Sequence, residues 1–275
     1  MRESDLRSIL LLFLACIYSP LSSAIERVIS LAPSSTELAY AAGLGKQMIA
    51  VSAFSDYPEE AKSLEKVAAY NSINIERIIA LNPDLIVAWR SGASLKSLKQ
   101  LEDLGFEIFY TDTEKLTDIA SRIEELGKYS NNPEISITVA KQFRDKLHQL
   151  QSQHQSKKPI PYFYQLSGSP IFTIAQSSWP SEVFELCGGI NIFEQAPSPY
   201  PQVGLEQVLA YAPEIIFTSA HAVQDTSQWM IWQDQVPAVA NNRIWSLNAD
   251  WLNRPTPRSL YAVEEVCKFF DKARQ

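Results

Sequence analysis

The sequence predicts an α/β fold made of two similar lobes joined by a long, rigid helix. Three observations predict it. Strand-like and helix-like segments alternate along the 275 residues, one segment recurs later in the chain, and a long helical pattern lies between the two copies. A chain of this length is long enough for two domains.

The alternation begins with a short β-rich run at residues 27–31. The next segment has helix-start chemistry: a hydroxyl among residues 34–36 can cap a helix, and Glu37 suits its positive end. Further strand-like runs lie at 49–52, 85–88 and 106–110, with helical stretches between them. Because parallel strands need crossover connections, this order predicts a parallel sheet.

The internal repeat relates residues 75–87 to residues 205–217. Glu, Ala, Pro and Ile recur in register, and each copy is typical of a short helix ended by proline, an acidic residue and a buried strand. Two copies are too few for a solenoid, so the repeat predicts two related lobes. Glu76 and Glu206 occupy the same position in each copy. They are either helix-end stabilisers or a pair of docking carboxylates for a partner with matching arginines.

Residues 132–156 are predicted to connect an N-terminal lobe at 25–131 with a C-terminal lobe at 157–275. Asn132 and Pro133 can start a helix. One apolar stripe follows, formed by Val139, Phe143, Leu147 and Leu150. A helix of about 20 residues spans about 30 Å and can act as a stiff strut. The alternative is an ordinary surface helix of a single domain.

Residues 1–24 have the features of a secretory signal peptide. Arg2 and Arg7 precede a short apolar run, and small residues follow it. The run is shorter than the roughly 20 residues of a membrane-spanning helix, and no later stretch qualifies, so stable membrane insertion is not expected. A lipid anchor at Cys16 is the less favoured alternative.

The net charge bears on the possible partners of the protein, and the cysteine content bears on disulfide formation. The net charge of −7 argues against nucleic acid as a partner. Beyond the signal segment two cysteines remain, Cys187 and Cys267. In an oxidising compartment such a pair usually forms a disulfide, and two buried free thiols are the alternative.

Catalytic and metal-binding motifs are absent from the sequence. There is no nucleophile elbow, no phosphate-binding glycine loop and no His-Glu-x-x-His. His148 and His154 lie six residues apart on the predicted helix, which is expected to place them on different sides. His221 follows a strand, and no partner is predicted nearby. None of the three is expected to bind a metal, and an enzyme is not expected.

Aromatic residues at strand ends and in loops are the candidate binding residues, because ligands of open α/β sheets bind at the carboxyl ends of the strands. The set is Phe54, Tyr70, Trp89, Phe172, Tyr200 and Trp251. Together they predict an apolar wall for a flat ligand, although each alone fits core or rim packing equally well. Asp250 and Arg254 add polar groups for a ligand, or else form a salt bridge within their loop.

Several short motifs are spread over nearly all of the chain beyond residue 24. They are Arg27-Val-Ile-Ser-Leu-Ala-Pro33, Ser55-Asp-Tyr-Pro58, Pro83-Asp84-Leu85 with Ala88-Trp89-Arg90, Cys187-Gly-Gly189, Pro201-Gln-Val203, and Asp250-Trp251 with Arg254. In these motifs the sequence resembles the cobalamin-binding proteins of bacterial vitamin B12 ABC importers. Many of the motifs also occur in the wider class of helix-linked binding proteins.

The resemblance implies two Rossmann-like α/β lobes joined by a single long rigid helix, the class III architecture. It implies a periplasmic monomer that carries cobalamin, as cargo and not as a cofactor, to the permease and ATPase of an ABC importer. The matching cleft positions are Phe54, Tyr70, Trp89, Phe172, Tyr200, Asp250, Trp251 and Arg254. Glu76 and Glu206 match docking carboxylates, and Cys187 with Cys267 matches a disulfide.

Three cleft positions depart from the family pattern. Phe54 stands where a tyrosine is expected, and Tyr70 and Tyr200 stand where tryptophans are expected. The aromatic faces are kept, but hydrogen bonds and contact area change, which bears on affinity and corrinoid preference.

Two other functions are compatible with the sequence. A siderophore or haem carrier of the same fold would use several cleft arginines or a tyrosine or histidine ligand, whereas only Arg90 and Arg254 are placed as cleft arginines. An exported α/β enzyme could use a carboxylate pair such as Asp56 and Asp250.

Overall fold

The computed structural model describes residues 25–70, 72–176 and 178–275. The predicted signal segment, including Cys16, lies outside these residues. The described strands form one six-stranded sheet and one four-stranded sheet. We call the first sheet and its helices the N-lobe, and the second sheet and its helices the C-lobe. The lobe boundaries at 131 and 157 stay a prediction.

The N-lobe sheet has the strand order β4-β3-β2-β1-β5-β6. Its strands are β1 (Val28–Ser30), β2 (Met48–Ser52), β3 (Glu65–Ala69), β4 (Ser72–Ile73), β5 (Leu85–Ala88) and β6 (Ile108–Tyr110). All neighbours are parallel except β3 and β4. The helices are α1 (Pro33–Ala41), α2 (Ile75–Leu81), α3 (Leu95–Asp103) and α4 (Leu116–Gly127), with short 3-10 turns at Gly45–Gln47, Glu59–Ser63 and Arg90–Gly92. The predicted parallel sheet is therefore confirmed.

The C-lobe sheet has the strand order β10-β9-β7-β8, and all its pairs are parallel. Its strands are β7 (Ile160–Gln165), β8 (Gly189–Asn191), β9 (Ile215–Ser219) and β10 (Ile244–Leu247). Its helices are α6 (Ser181–Leu186), α7 (Leu205–Tyr211), α8 (Ser227–Met230), α9 (Pro237–Ala240), α10 (Ala249–Leu252) and α11 (Ser259–Ala273), and α5 (Pro133–His154) connects the lobes.

The start of α1 differs from the sequence prediction. Ala32 is the N-cap, Pro33 occupies the first turn, and no side chain caps the helix. The hydroxyl group of Ser35 contacts that of Thr111 at 2.9 Å, and Thr36 bonds Ser55 at 2.8 Å. These hydroxyl groups are buried, so they satisfy one another instead of the helix end.

The two repeat copies fold alike. Helices α2 and α7 each have seven residues, and each is followed by a residue in the left-handed region, Asn82 with φ 43° and Ala212 with φ 45°. A proline, an acidic residue and the buried strand β5 or β9 come next. Asn74 caps α2 by accepting the Arg77 N–H at 3.0 Å. The prediction of two related units is confirmed locally, because the two copies share the helix, the left-handed residue, the proline and the strand that follows.

Helix α5 packs along both lobes. Its stripe residues Phe143, Leu147 and Leu150 are buried, and the largest apolar cluster runs from the N-lobe across them to the C-lobe. Arg144 pairs with Glu124 of α4, and Lys146 of α5 pairs with a glutamate of α11. Each buried large side chain stabilises the packing by about 1.5–3 kcal/mol, so α5 is a connection packed against both lobes.

A disulfide links Cys187, which follows α6, to Cys267 in α11. Both residues are buried, and the bond confirms the predicted pairing. Of the helices in the described ranges, none combines the length and the apolar character that crossing a bilayer requires.

Candidate functional site

Three of the predicted aromatic residues meet at the carboxyl edge of the N-lobe sheet. Phe54 follows β2, Tyr70 follows β3 and Trp89 follows β5, and together they line a hollow of about 130 Å³. Phe54 and Tyr70 are 77% and 84% exposed, far more than packing residues would be. We call this surface the aromatic wall. The parallel strands β2, β3 and β5 end at one edge, and this brings residues distant in sequence together.

Trp89 is held in place from below by a glycine. A Cβ atom added at Gly92 would lie 2.1 Å from the Trp89 ring, so the indole packs directly against the backbone of the Arg90–Gly92 turn. Asp112 fixes that turn by accepting the backbone N–H groups of Arg90 and Ser91 at 2.9 and 3.0 Å. The indole therefore packs against a turn that Asp112 holds by two backbone hydrogen bonds.

Phe172 and Tyr200 lie on two neighbouring backbone segments of the C-lobe. Residues 171–175 run beside residues 199–203, with backbone hydrogen bonds from Thr173 to Pro201 and from Ala175 to Pro199. Phe172 bridges Gln202 in this pairing, and Tyr200 is 47% exposed. Burial raises the pKa of the Tyr200 hydroxyl. These two rings come from the C-lobe, whereas the aromatic wall comes from the N-lobe, so the predicted set is divided between the two lobes.

Arg254 links the two lobes. Its guanidinium lies 2.9 Å from Asp250, the salt bridge that the sequence left open. It also lies 3.0 Å from Asp56, two residues beyond Phe54 in the N-lobe. Burial alone raises the pKa of Asp56, but the hydrogen bond and charge of Arg254 outweigh it and hold that pKa below its ordinary value. The two carboxylates proposed for an enzyme thus share one arginine.

A buried carboxylate completes this ion network. Glu37 of α1 has a side chain only 2% exposed, and its oxygens accept the Arg258 Nε–H at 2.8 Å and face Arg254 at 3.4 Å. The guanidinium of Arg258 also covers the ring of Tyr57, 4.3 Å from its centroid. Sequence reasoning assigned Glu37 to the helix end and missed Arg258. Contacts across 217 and 221 residues leave no local spacing to detect.

Trp251 is half-buried and packs partly on the large apolar cluster that spans both lobes. Its ring meets Tyr261 edge-on at 5.5 Å. Tyr261 lines a separate hollow of about 570 Å³ that also touches Tyr40 and Tyr57. Of the predicted aromatic set, Trp251 is therefore the member most engaged in packing.

One of the three histidines differs from expectation. His221 has a partner after all, because its Nε2 lies 3.6 Å from Asp250. The adjacent strands β9 and β10 end side by side, which is the signal that could have found this pair. His148 and His154, predicted on different sides of the helix, border one hollow of about 650 Å³. Burial lowers the pKa of His154. Across residues 25–70, 72–176 and 178–275, no group of three or more His, Cys, Asp or Glu side chains is arranged to hold a metal.

The candidate docking residues Glu76 and Glu206 are both exposed. Each is the second residue of its seven-residue helix, α2 or α7. The carboxylates therefore occupy equivalent places on the N-lobe and the C-lobe.

Comparison with known proteins shows the family to which this architecture belongs. The model of the periplasmic binding protein family matches residues 28–251, which is most of the chain. This chain belongs to the periplasmic binding protein family. The helix-linked pair of parallel sheets described above agrees with that membership.

Relatives of this periplasmic binding protein include the vitamin B12-binding proteins of Vibrio vulnificus and Vibrio cholerae. The first is 50% identical over 270 residues, covering 98% of each chain. The second is 54% identical over 250 residues, covering 91% of each chain. The resemblance in the sequence motifs is confirmed by these relatives.

Solved structures agree with the sequence relatives. The periplasmic vitamin B12-binding protein of Vibrio cholerae is 53% identical and superposes with a TM-score of 0.88, over 92% of this chain and 99% of that one. A periplasmic haem-binding protein from Roseiflexus has a TM-score of 0.81 at 21% identity, over 91% of this chain and 100% of that one, and so shares the fold alone.

Proposed function

We propose that this periplasmic binding protein captures cobalamin between its lobes and delivers it to a vitamin B12 ABC importer. The relatives support cobalamin as the ligand, because two vitamin B12-binding proteins are 50% and 54% identical over nearly all of the chain. The structural observation that carries the proposal is the aromatic wall: three rings, two of them highly exposed, at the carboxyl edge of a parallel sheet.

The chemistry of the two surfaces suits a corrin. Aromatic faces suit a broad, mostly apolar macrocycle, and each stacked ring adds about 0.5–1.5 kcal/mol beyond burial of its area. The amide side chains of a corrin need donors and acceptors, which Arg254 and Asp250 supply as charged groups.

The hollow at the aromatic wall holds only part of such a ligand. Its volume of about 130 Å³ is well below the roughly 300–1,000 Å³ of pockets for drug-sized molecules, and cobalamin is larger still. The C-lobe must therefore cover the remaining surface. Phe172, Tyr200 and the Asp250–Arg254 pair are the groups we assign to that second face. We assign the predicted cleft residues to cobalamin contacts because the hollow is too small to hold the whole ligand.

Equilibrium titration tests the ligand directly. Purified protein is titrated with cyanocobalamin and followed by calorimetry and by the visible absorption of the corrin. We expect saturable binding of one cobalamin per chain. Haem and a ferric siderophore are titrated in parallel, and a Soret shift with haem but no response to cobalamin would reassign the protein to the haem carriers.

Binding without chemical change is part of the proposal. The family and its vitamin B12-binding members are carriers, so cobalamin is cargo here and leaves unaltered. Delivery then needs a contact with the importer, and Glu76 and Glu206 are the residues proposed for it. Their equivalent, exposed places suit the two halves of a symmetric permease that offers one arginine to each.

Removing both carboxylates should separate delivery from binding. For Glu76→Ala combined with Glu206→Ala we expect unchanged cobalamin affinity but an association with the importer about tenfold weaker, because two charge pairs are lost. Association is measured with the importer in nanodiscs at low and high salt. Glu114→Ala with Glu134→Ala, two exposed carboxylates elsewhere on the N-lobe side, is the matched control. Equal association of both double variants would rule out the docking role.

A further inference from the structure

One buried ion cluster lies where the two lobes meet, and neither of its most buried members belongs to the cobalamin contacts proposed above. Glu37 comes from α1 of the N-lobe, and Arg258 lies at the N-cap of α11 in the C-lobe. The Glu37 side chain is 2% exposed and that of Arg258 is 13% exposed. A carboxylate this deeply buried is strongly unfavourable unless cations and hydrogen bonds compensate it, and here both come from the opposite lobe.

The same two arginines hold the loop that follows β2. Arg254 binds Asp56 at 3.0 Å, and Arg258 stacks on Tyr57 at 4.3 Å. This loop begins at Phe54, whose φ of 61° lies in the left-handed region, unusual for a residue with a large side chain. The arginines therefore lie between Glu37 on one side and the Phe54 loop on the other.

A hollow lies beside this ion cluster. The hollow of about 570 Å³ is lined by Glu37 and Arg258 and extends to Val139 of α5. Beside this hollow, the ion pair between Glu37 and Arg258 connects α1 with the start of α11. Loss of one partner would leave a buried charge unpaired, which is far more disruptive than loss of an exposed pair.

We propose that Glu37 is a positioning residue for ligand binding: it anchors Arg254 and Arg258 of the C-lobe and through them sets both the interlobe spacing and the position of the Phe54 loop. Glu37 does not touch the ligand in this proposal. Its carboxylate instead prearranges the aromatic wall on one lobe and the Asp250–Arg254 pair on the other. The proposal rests on the proposed function for its ligand, but its structural half can be tested without any ligand.

Distances between spin labels report the interlobe spacing. Lys96→Cys on α3 and Ala210→Cys on α7 are exposed positions on opposite lobes. The labelled protein begins at residue 25 and so lacks Cys16, and its other two native cysteines, Cys187 and Cys267, are closed in their disulfide. In the ligand-free protein we expect a narrow distance distribution that Glu37→Gln broadens. Glu65→Gln, which breaks the exposed pair between Glu65 and Arg77 inside the N-lobe, should leave it narrow.

Affinity provides the second measurement. We expect Glu37→Gln to bind cobalamin about tenfold more weakly, with Glu65→Gln equal to the parent. A label distribution as narrow as that of the parent, or parent-like affinity despite a broadened distribution, would overturn the proposal. If the parent binds no cobalamin, the proposed function fails, and the label distances alone decide whether Glu37 orders the cleft.

A second variant covers the case in which Glu37→Gln does not fold. Replacing a buried ion pair by apolar residues of similar size often preserves stability, so Glu37→Met with Arg258→Met should fold. It removes the charges that hold Arg254 and the Phe54 loop. We expect the same broadening and weaker binding, and a narrow distribution in this variant would equally overturn the proposal.

Discussion

Replacing Trp89 with alanine should weaken cobalamin binding about 30-fold. Truncation of a central tryptophan in a binding surface typically costs about 2 kcal/mol or more, and each 1.4 kcal/mol is tenfold in affinity. We expect an effect of this size for Trp89 because its ring lines the hollow of the aromatic wall and packs against Gly92. Calorimetric titration with cyanocobalamin measures the change.

A second variant distinguishes the effect of moving the Trp89 ring from the effect of removing it. Gly92→Ala keeps the indole but places a Cβ 2.1 Å from it, so the ring must move, and we expect a smaller loss of affinity in the same direction. Tyr211→Ala is the control, because Tyr211 is an exposed tyrosine that packs on Phe193, outside the aromatic wall. Parent-like affinity of Trp89→Ala would remove Trp89 from the binding surface.

Removing the disulfide should lower the free energy of unfolding by about 4 kcal/mol. Cys187 and Cys267 are 80 residues apart, and closing a loop of this length restricts the unfolded chain by roughly that amount on the chain-entropy model. Urea unfolding of Cys187→Ala with Cys267→Ala against the parent measures the loss.

Reduction of the parent protein provides the control for this prediction. The reduced parent keeps both sulfur atoms in the core, so a loss shared by the reduced parent and the double variant comes from the cross-link and not from a cavity. Cobalamin affinity at temperatures well below unfolding should stay unchanged, because neither cysteine lines the aromatic wall. A loss below about 1 kcal/mol in both proteins would show that the cross-link does not restrict the unfolded chain as the model requires.

Elements governed by neighbours in the chain were predictable. Strand β5 was predicted with its observed bounds, and the repeat predicted two short helices, each ended by proline and followed by an acidic residue and a buried strand. The left-handed residue before each proline was found only in the structure. The stripe of α5 was readable because residues three and four apart share a helix face. The carboxyl-edge rule correctly placed Phe54 and Trp89 after strands that were predicted, whereas the strand before Tyr70 was not predicted.

Predictions based on local capping failed where a distant partner competed. The hydroxyls at 34–36 were expected to cap α1, yet Thr36 bonds Ser55 and Ser35 contacts Thr111. Glu37 was expected to stabilise the same helix end, yet it faces two arginines of the other lobe. A buried polar group binds whichever partner reaches it, and sequence spacing carries no information about partners more than 200 residues away.

The sequence by itself therefore determined the parallel α/β units, the repeated helix–strand turn, the connecting helix and the aromatic character of the candidate site. Only the tertiary structure decided that the segments carrying Phe172 and Tyr200 pair with each other, and that Glu37, Arg254 and Arg258 join the lobes. The physical reason is the separation along the chain over which each kind of interaction acts. Backbone preferences and side-chain periodicity act within a few residues, whereas burial and ion pairing depend on which surfaces the folded chain brings within a few ångströms.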